Sequence, residues 1–179
     1  HMVKSMARKT GRMAVVLPHG VLFRMSKEGE IRRKLLEMDI LEAVIGLGQN
    51  IFYGTGLAPC VLVFRESKPK DHRQKVLFID ASHEFKSGRA QNELLPEHVD
   101  SIHHWYEGYQ DVAGVCRVAT LDEIRKNDYN LNIPRYVEPV IQEESLSIDQ
   151  ALANLKNSLQ AAYAAEERLK GLLLREGLL

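Results

Sequence analysis

Short apolar runs separated by a helical pattern open the chain. Residues 12–17 are apolar after the first and end at Pro18, which is typical of a strand buried on both faces of a parallel sheet. A second apolar run, residues 41–45, follows a stretch with helical spacing. Because strand, helix and strand succeed one another within about 30 residues, the pattern predicts a βαβ unit with parallel strands and a helix covering one face.

The helix of this unit is predicted from Ser26, a residue type that caps helix N-termini, to about Asp39. Ile31, Leu35 and Met38 recur at spacings of four and three, so they are predicted to form its buried face. The side chains predicted to face water are charged: Arg32, Arg33, Lys34 and Glu37.

The link after the second run, residues 46–59, contains four glycines and no helix former. A parallel return needs a crossover of about a dozen residues or more, usually helical. The third strand, residues 60–64, is therefore predicted to run antiparallel beside its predecessor, in a mixed sheet. Beyond it the pattern predicts a strand at residues 76–80, a helix from Pro96 and a short helix capped by Thr120.

The last segment carries a heptad pattern. Its positions alternate spacings of four and three over about four repeats, and seven of the eight are apolar. They are Ile148, Leu152, Leu155, Leu159, Ala162, Glu166, Leu169 and Leu173. A helix cannot bury such a narrow apolar seam alone, so we expect it to pack on its own domain or on a partner helix, and the pattern leaves both alternatives open.

Composition is that of a soluble chain with one main domain and an appendage, because 24 basic residues balance 24 acidic ones and 45% are apolar. No apolar run approaches the roughly 20 residues of a membrane-spanning helix. A net charge of zero does not by itself indicate a polyanionic partner.

Cys60 and Cys116 lie in unrelated contexts, which predicts reduced, buried thiols of a cytosolic protein. His98, His103 and His104 spread around a predicted helix, so no metal site is expected.

The ends of parallel strands are where α/β sheets bind ligands. Here those ends are Pro18 and the glycine-rich loop that carries Phe52 and Tyr53. Phe52 either stacks on a flat ligand or caps the sheet edge as part of the core, and the residues alone leave both interpretations open. Phosphate-binding glycine motifs, nucleophile elbows and zinc motifs do not occur. Asp80, an isolated carboxylate, is predicted to be a solvated or capping residue, and no catalytic residue is assigned.

Five blocks, in order along the chain, resemble the modification subunit of type I restriction-modification systems. They are Gly11 to Phe23, Ile31 to Leu36, Ala43 to Leu47 with Asn50 to Gly56, Leu77 to Ser82, and Asn127 to Tyr136. The heptad segment also resembles the C-terminal helix of that family. The resemblance implies an α/β fold: the C-terminal portion of a Rossmann-like methyltransferase sheet, its fifth to seventh strands with an antiparallel hairpin, followed by a helical C-terminal region.

Members of this family are adenine-specific DNA methyltransferases, which transfer a methyl group from S-adenosylmethionine to N6 of an adenine swung out of the duplex. The family's glycine-rich cofactor loop and its Asn-Pro-Pro-Phe or Asn-Pro-Pro-Tyr motif do not occur in this sequence. The resemblance therefore implies part of a longer subunit, inactive alone, whose full-length form uses S-adenosylmethionine and no metal. A non-enzymatic helical scaffold is the alternative.

The resemblance also assigns roles to residues. Phe52 matches the aromatic position that stacks on the flipped adenine in amino-methyltransferases. Tyr53, Thr55 and Pro18 are further candidates for lining the same pocket. His19 stands where the family has Asp after Leu-Pro, which leaves that position without an assigned polar role.

The heptad helix is expected to bind the specificity subunit, which reads the DNA sequence, through Leu152, Leu155, Leu159 and Leu169. DNA and the restriction subunit are the other expected partners, in the cytoplasm of a prokaryote, and two copies of the chain are also expected to be able to pair. The predicted organisation is a tag remnant at 1–2, part of the catalytic domain at 3–95, a helical and turn-rich extension at 96–137, a linker at 138–147 and the assembly helix at 148–179.

Overall fold

The computed structural model describes residues 2–138 and 147–176, so most of the predicted linker, 138–147, lies outside the described residues. The chain divides into two compact units, His1–Val140 and Ile141–Leu179. The first contains strands β1 (Arg12–Pro18), β2 (Leu41–Leu47), β3 (Pro59–Arg65), β4 (Lys75–Ala81) and β5 (Cys116–Thr120), with helices α1 (Lys27–Glu37), α2 (Pro96–Gly108) and α3 (Leu121–Lys126). The second contains helix α4 (Ile148–Arg175). Within the described residues, no helix has the length and apolarity to cross a membrane.

The five strands form one mixed sheet in the order β1-β3-β2-β4-β5. Strand β3 is antiparallel to both of its neighbours, with Cys60 opposite Leu17 of β1 and Gly46 of β2. Strands β2 and β4 are parallel, and β5 is antiparallel to β4. The predicted antiparallel return into β3 and the mixed sheet are therefore confirmed, whereas β5 was not predicted.

Strand β1 corrects the prediction of a strand buried on both faces. It lies at an edge of the sheet, and its side chains alternate between exposed and half-buried. Met13, Val15 and Leu17 pack toward the core, while Val16 is exposed. Its direction matches that of β2, as a βαβ unit requires, but β3 lies between the two strands. The strand buried on both faces is instead β2, all seven residues of which are buried.

The core lies on both faces of the sheet. On one face α1, α3 and the segment after α3 pack on the strands, with Leu36, Ile124 and Tyr136 among the buried residues. The Tyr136 ring stacks on Phe78 of β4, with 4.0 Å between ring centroids. On the other face α2 covers β2 and β4. The segment Asn127 to Tyr136, to which composition assigned no role, is thus a cover of the sheet.

Helix α1 buries only part of the face predicted for it. Leu35 is half-buried against the core as predicted, but Ile31 and Met38 are exposed, and Arg32 and Leu36 are buried instead. Ser26 precedes the helix with a positive φ of 60° and makes no side-chain capping hydrogen bond. Arg32, predicted to face water, is held by carbonyl oxygens from other segments. Its Nε and Nη1 donate to Tyr129, Val21 and Arg24 at 2.6, 2.9 and 2.9 Å.

The predicted starts of two helices and the predicted burial of the two thiols are confirmed. Helix α2 begins at Pro96 as predicted, and Thr120 Oγ1 accepts a hydrogen bond of 3.2 Å from Glu123 N at the start of α3. Cys60 and Cys116 are buried free thiols, and burial raises the pKa of each to about 11. Within residues 2–138 and 147–176, no three His, Cys, Asp or Glu side chains are grouped closely enough to hold a metal ion.

Candidate functional site

The loop between β2 and β3, residues 48–58, is called the aromatic loop here because it carries Phe52 and Tyr53. Sheet pairing places it next to the end of β1, since Pro18 lies opposite Pro59 in the β1–β3 register. The backbone N–H of His19 continues this pairing by donating to Ala58 O at 3.1 Å. The two segments that the sequence marked as strand ends therefore meet at one place.

A cavity of about 190 Å³ lies where they meet. Its walls come from the end of β1 and from the aromatic loop: Val16, Leu17, Pro18, Phe52, Thr55, Leu57, Ala58 and Pro59. Phe52 is 44% exposed and belongs to neither face of the core. That exposure is typical of a cavity wall, and the alternative of a core residue at the sheet edge does not fit it.

Three of the four residues predicted to line one pocket do so: Pro18, Phe52 and Thr55. Thr55 Oγ1 accepts a hydrogen bond of 3.2 Å from Leu57 N. Tyr53 is the exception, because it is 93% exposed and lines a different cavity beside residues 91–94. Tyr53 is therefore not part of the wall that the other three residues form.

The chemistry of this cavity is that of an apolar slot. Thr55 supplies the one hydroxyl among the lining residues, and no carboxylate or imidazole is among them. His19 follows Pro18 outside the lining; burial lowers its pKa, with Asp80 acting in the opposite direction. Asp80 itself accepts a hydrogen bond from Ser82 N at 3.0 Å, which is a local turn contact at the end of β4. The arrangement can hold a flat ring and has no group to act as its general acid or base.

A second loop, residues 82–95 between β4 and α2, reaches the aromatic loop and is called the bracing loop. Asn92 joins the two: its backbone N–H donates to Asn50 O at 2.8 Å and its Nδ2 donates to Gln49 O at 2.9 Å. This contact is absent from the sequence predictions. No periodic or compositional signal connects residues 43 positions apart.

Helix α4, described as its own unit, confirms the predicted heptad helix. It begins with a capping box in which Gln150 N donates to Ser147 Oγ at 3.2 Å and Ser147 N donates to Gln150 Oε1 at 3.0 Å. The predicted partner-binding side chains are each 45–58% exposed: Leu152, Leu155, Leu159 and Leu169. They form an apolar stripe along one side of a 28-residue helix.

Comparison with known proteins identifies relatives. The family model described as N-6 DNA Methylase matches residues 1–145. The type I restriction enzyme MjaVII methylase subunit of Methanocaldococcus jannaschii is 40% identical over 153 residues, which cover 84% of this chain and 26% of that protein. The HindI methylase subunit of Haemophilus influenzae is 28% identical over 179 residues, covering 95% of this chain and 40% of that protein. The chain thus spans between a quarter and two fifths of the length of these relatives.

Solved structures agree. The methyltransferase subunit of a type I restriction-modification system from Streptococcus thermophilus superposes with a TM-score of 0.67 and 44% identity, over 72% of this chain and 27% of that one. The EcoKI M protein superposes with a TM-score of 0.58 over 90% of this chain and 41% of that one. Its identity is 19%, so it supports the fold alone. The fold is the α/β, Rossmann-like fold that the sequence implied.

Proposed function

The chain belongs to the N-6 DNA methylase family, and from that premise we propose that it is part of a type I restriction-modification subunit that methylates N6 of adenine in DNA. In this proposal the chain supplies one wall of the pocket for the flipped adenine and the helix for subunit assembly. Family membership favours this function over the non-enzymatic scaffold that the heptad helix alone would equally suit.

The observation that carries the proposal is the half-exposed ring of Phe52 on the wall of the apolar cavity. Extruding a base costs a few kcal/mol, and stacking on an aromatic side chain returns about 1 to 3 kcal/mol per base. A volume of about 190 Å³ suits one flat ring. Pro18 and Leu57 add apolar surface that excludes water, and the Thr55 hydroxyl can donate to a ring nitrogen.

The same cavity does not fit S-adenosylmethionine. That molecule carries a sulfonium, an amino acid and a ribose, and pockets for ligands of drug size span about 300 to 1,000 Å³. The cavity here is smaller, and its lining contains no carboxylate to meet the cationic groups. We therefore place S-adenosylmethionine elsewhere in the full-length subunit, derive no step through it, and expect this chain alone to be inactive.

The partners follow from helix α4. An exposed stripe of leucines at heptad spacing is suited to pack against another helix, and we propose the specificity subunit as that partner. DNA and the restriction subunit complete the proposed assembly. Because the relatives are archaeal and bacterial restriction enzyme subunits, a cytoplasmic location is proposed as well.

A methyl-transfer assay tests the proposal. Labelled S-adenosylmethionine and DNA are incubated either with this chain or with the full-length subunit assembled with its specificity subunit, and methylated bases are identified by mass spectrometry. The expected product is N6-methyladenine from the full-length assembly and no product from this chain. Transfer by this chain alone contradicts the proposed division of roles, and a full-length assembly that methylates no adenine contradicts the function itself.

A further inference from the structure

The bracing loop holds the first half of the aromatic loop through several hydrogen bonds. Besides the two from Asn92, Asn50 Nδ2 donates to a carbonyl of the bracing loop at 3.2 Å. Gln91 Nε2 donates to the carbonyl of Ile51, the residue immediately before Phe52. These four hydrogen bonds join the two loops directly.

The bracing loop is itself ordered by local contacts. Lys86 and Glu93 form a β-bridge, in which the backbone nitrogen of each lies 2.8 and 3.0 Å, respectively, from the carbonyl oxygen of the other. The Phe85 ring also packs on the aromatic loop, so closely that a Cβ at Gly48 would lie 2.5 Å from the ring. Leu94, at the end of the bracing loop, packs against buried side chains of β2 and β4 and so anchors this loop to the sheet.

The second half of the aromatic loop lacks such contacts. Tyr53 is almost fully exposed, and a Cβ added at Gly54 or Gly56 would meet no atom within 4 Å. Among residues 2–138, no hydrogen bond joins residues 53–56 to another segment. Phe52 therefore lies at the point where the braced half of the loop ends.

We propose that Asn92 and Gln91 are positioning residues that hold Phe52 in place for stacking on the flipped base, an inference that rests on the proposed function. A ring that must first be ordered loses part of the stacking free energy to conformational entropy. A ring held in advance by the residue before it avoids that loss. The two side chains act through Phe52 and do not line the cavity themselves.

The first test requires no DNA. Amide hydrogen exchange is measured by mass spectrometry over residues 48–58 in the full-length subunit assembled with its partners. Asn92→Ala should raise the exchange rate about tenfold. Asn92→Asp, which replaces the side-chain donor by a carboxylate facing the carbonyl oxygen of Gln49, should raise it at least as much. Ser87→Ala, an exposed position of the bracing loop, is the matched control and should change nothing. If Asn92→Ala leaves the exchange rate of residues 48–58 unchanged, the positioning role of Asn92 is overturned.

The second test measures base capture. DNA with 2-aminopurine at the target position reports stacking by fluorescence, and methylation of normal DNA gives kcat and KM. Asn92→Ala should lower kcat about tenfold and leave KM for DNA within about twofold, because the brace acts on the captured base. In a Phe52→Ala background, Asn92→Ala should have no further effect on either readout.

These readouts separate the two claims. Additive losses in the double variant overturn the inference that Asn92 acts through Phe52. If Phe52→Ala methylates normally while Asn92→Ala does not, the proposed stacking role of Phe52 fails and the positioning inference fails with it. If Phe52→Ala lowers methylation while Asn92→Ala does not, the proposed function stands and the positioning inference alone is overturned.

Discussion

Tyr106 of helix α2 donates a hydrogen bond of 2.7 Å from its phenolic hydroxyl to Oε2 of Glu42, a buried carboxylate of strand β2. The other oxygen of Glu42 accepts from Arg65 at 2.9 Å and lies 3.3 Å from His72 Nδ1. Burial opposes ionisation of Glu42, yet its hydrogen bonds outweigh burial and hold its pKa below the ordinary value. Burial, with Glu42 as the next cause, raises the pKa of Tyr106 to about 12.

Replacing Glu42 by Gln should lower the free energy of unfolding by about 2 to 4 kcal/mol at neutral pH, because Arg65 and Tyr106 lose their charged partner. Urea unfolding followed by circular dichroism measures it. Tyr106→Phe, which removes one hydrogen bond and keeps the ring, should cost about 1 to 2 kcal/mol. Equal midpoints for both variants and the unmodified chain would show that the network adds nothing to stability.

The same network predicts a pH dependence. Because the pKa of Glu42 is lower in the folded state than in the unfolded chain, its ionised form contributes stability above the unfolded pKa of about 4.3, and this contribution is lost as the pH falls through the folded-state pKa. The stability difference between the unmodified chain and Glu42→Gln should therefore shrink from about pH 6 to about pH 3. Unfolding measured across this range checks it, and a constant difference contradicts it.

Phe52→Ala in the full-length, assembled subunit should lower methylation about tenfold or more, because one base-stacking contact of about 1 to 3 kcal/mol is removed. Phe52→Trp should retain much of the activity, since it keeps an aromatic face. Phe23→Ala is the matched control: that ring is 42% exposed and does not line the cavity. Initial rates with labelled S-adenosylmethionine provide the measurement. Full activity of Phe52→Ala would leave the ring without a role in base capture.

Changing Leu152, Leu155 and Leu159 to Gln should abolish binding of the specificity subunit if the stripe on α4 is a partner surface. Asn157→Gln, Ala161→Gln and Ala164→Gln, on the opposite side of the helix at 100° per residue, are the control. Co-purification and titration calorimetry measure binding. If the stripe instead packs within the chain, the leucine variant should still bind the specificity subunit, and its own melting temperature should fall.

Arg32 illustrates the limit of local pattern. Helical periodicity places it with the water-facing side chains of α1, yet it is 6% exposed. Its guanidinium donates hydrogen bonds to the carbonyl oxygens of Val21 and Arg24, which are near in sequence, and of Tyr129, which is 97 residues away. A charged side chain can be buried where such acceptors exist, and their position follows from packing, which periodicity does not describe.

Some features of the candidate site were predictable from the sequence, and others depend on packing. The glycine-rich loop with its aromatic pair was identifiable from composition and from the resemblance, and the β1–β3 register brings Pro18, Phe52 and Thr55 together. The separation of Tyr53 from its neighbour was not predictable, because adjacent residues of an irregular loop have no fixed relative direction. The contact of Asn92 with the loop was hidden by its distance along the chain.

The sequence by itself determined the type of the main elements other than β5, the antiparallel return into β3, the heptad helix and the loop that carries the candidate site. These depend on spacing, capping and glycine content among neighbouring residues. Only the tertiary structure decided that β3 lies between β1 and β2, that β2 is the strand buried on both faces, and that the bracing loop hydrogen-bonds to the carbonyl of Ile51, next to Phe52. The reason is that strand order and the burial of polar groups depend on the free energy of contacts between segments far apart in the chain, which no local period encodes.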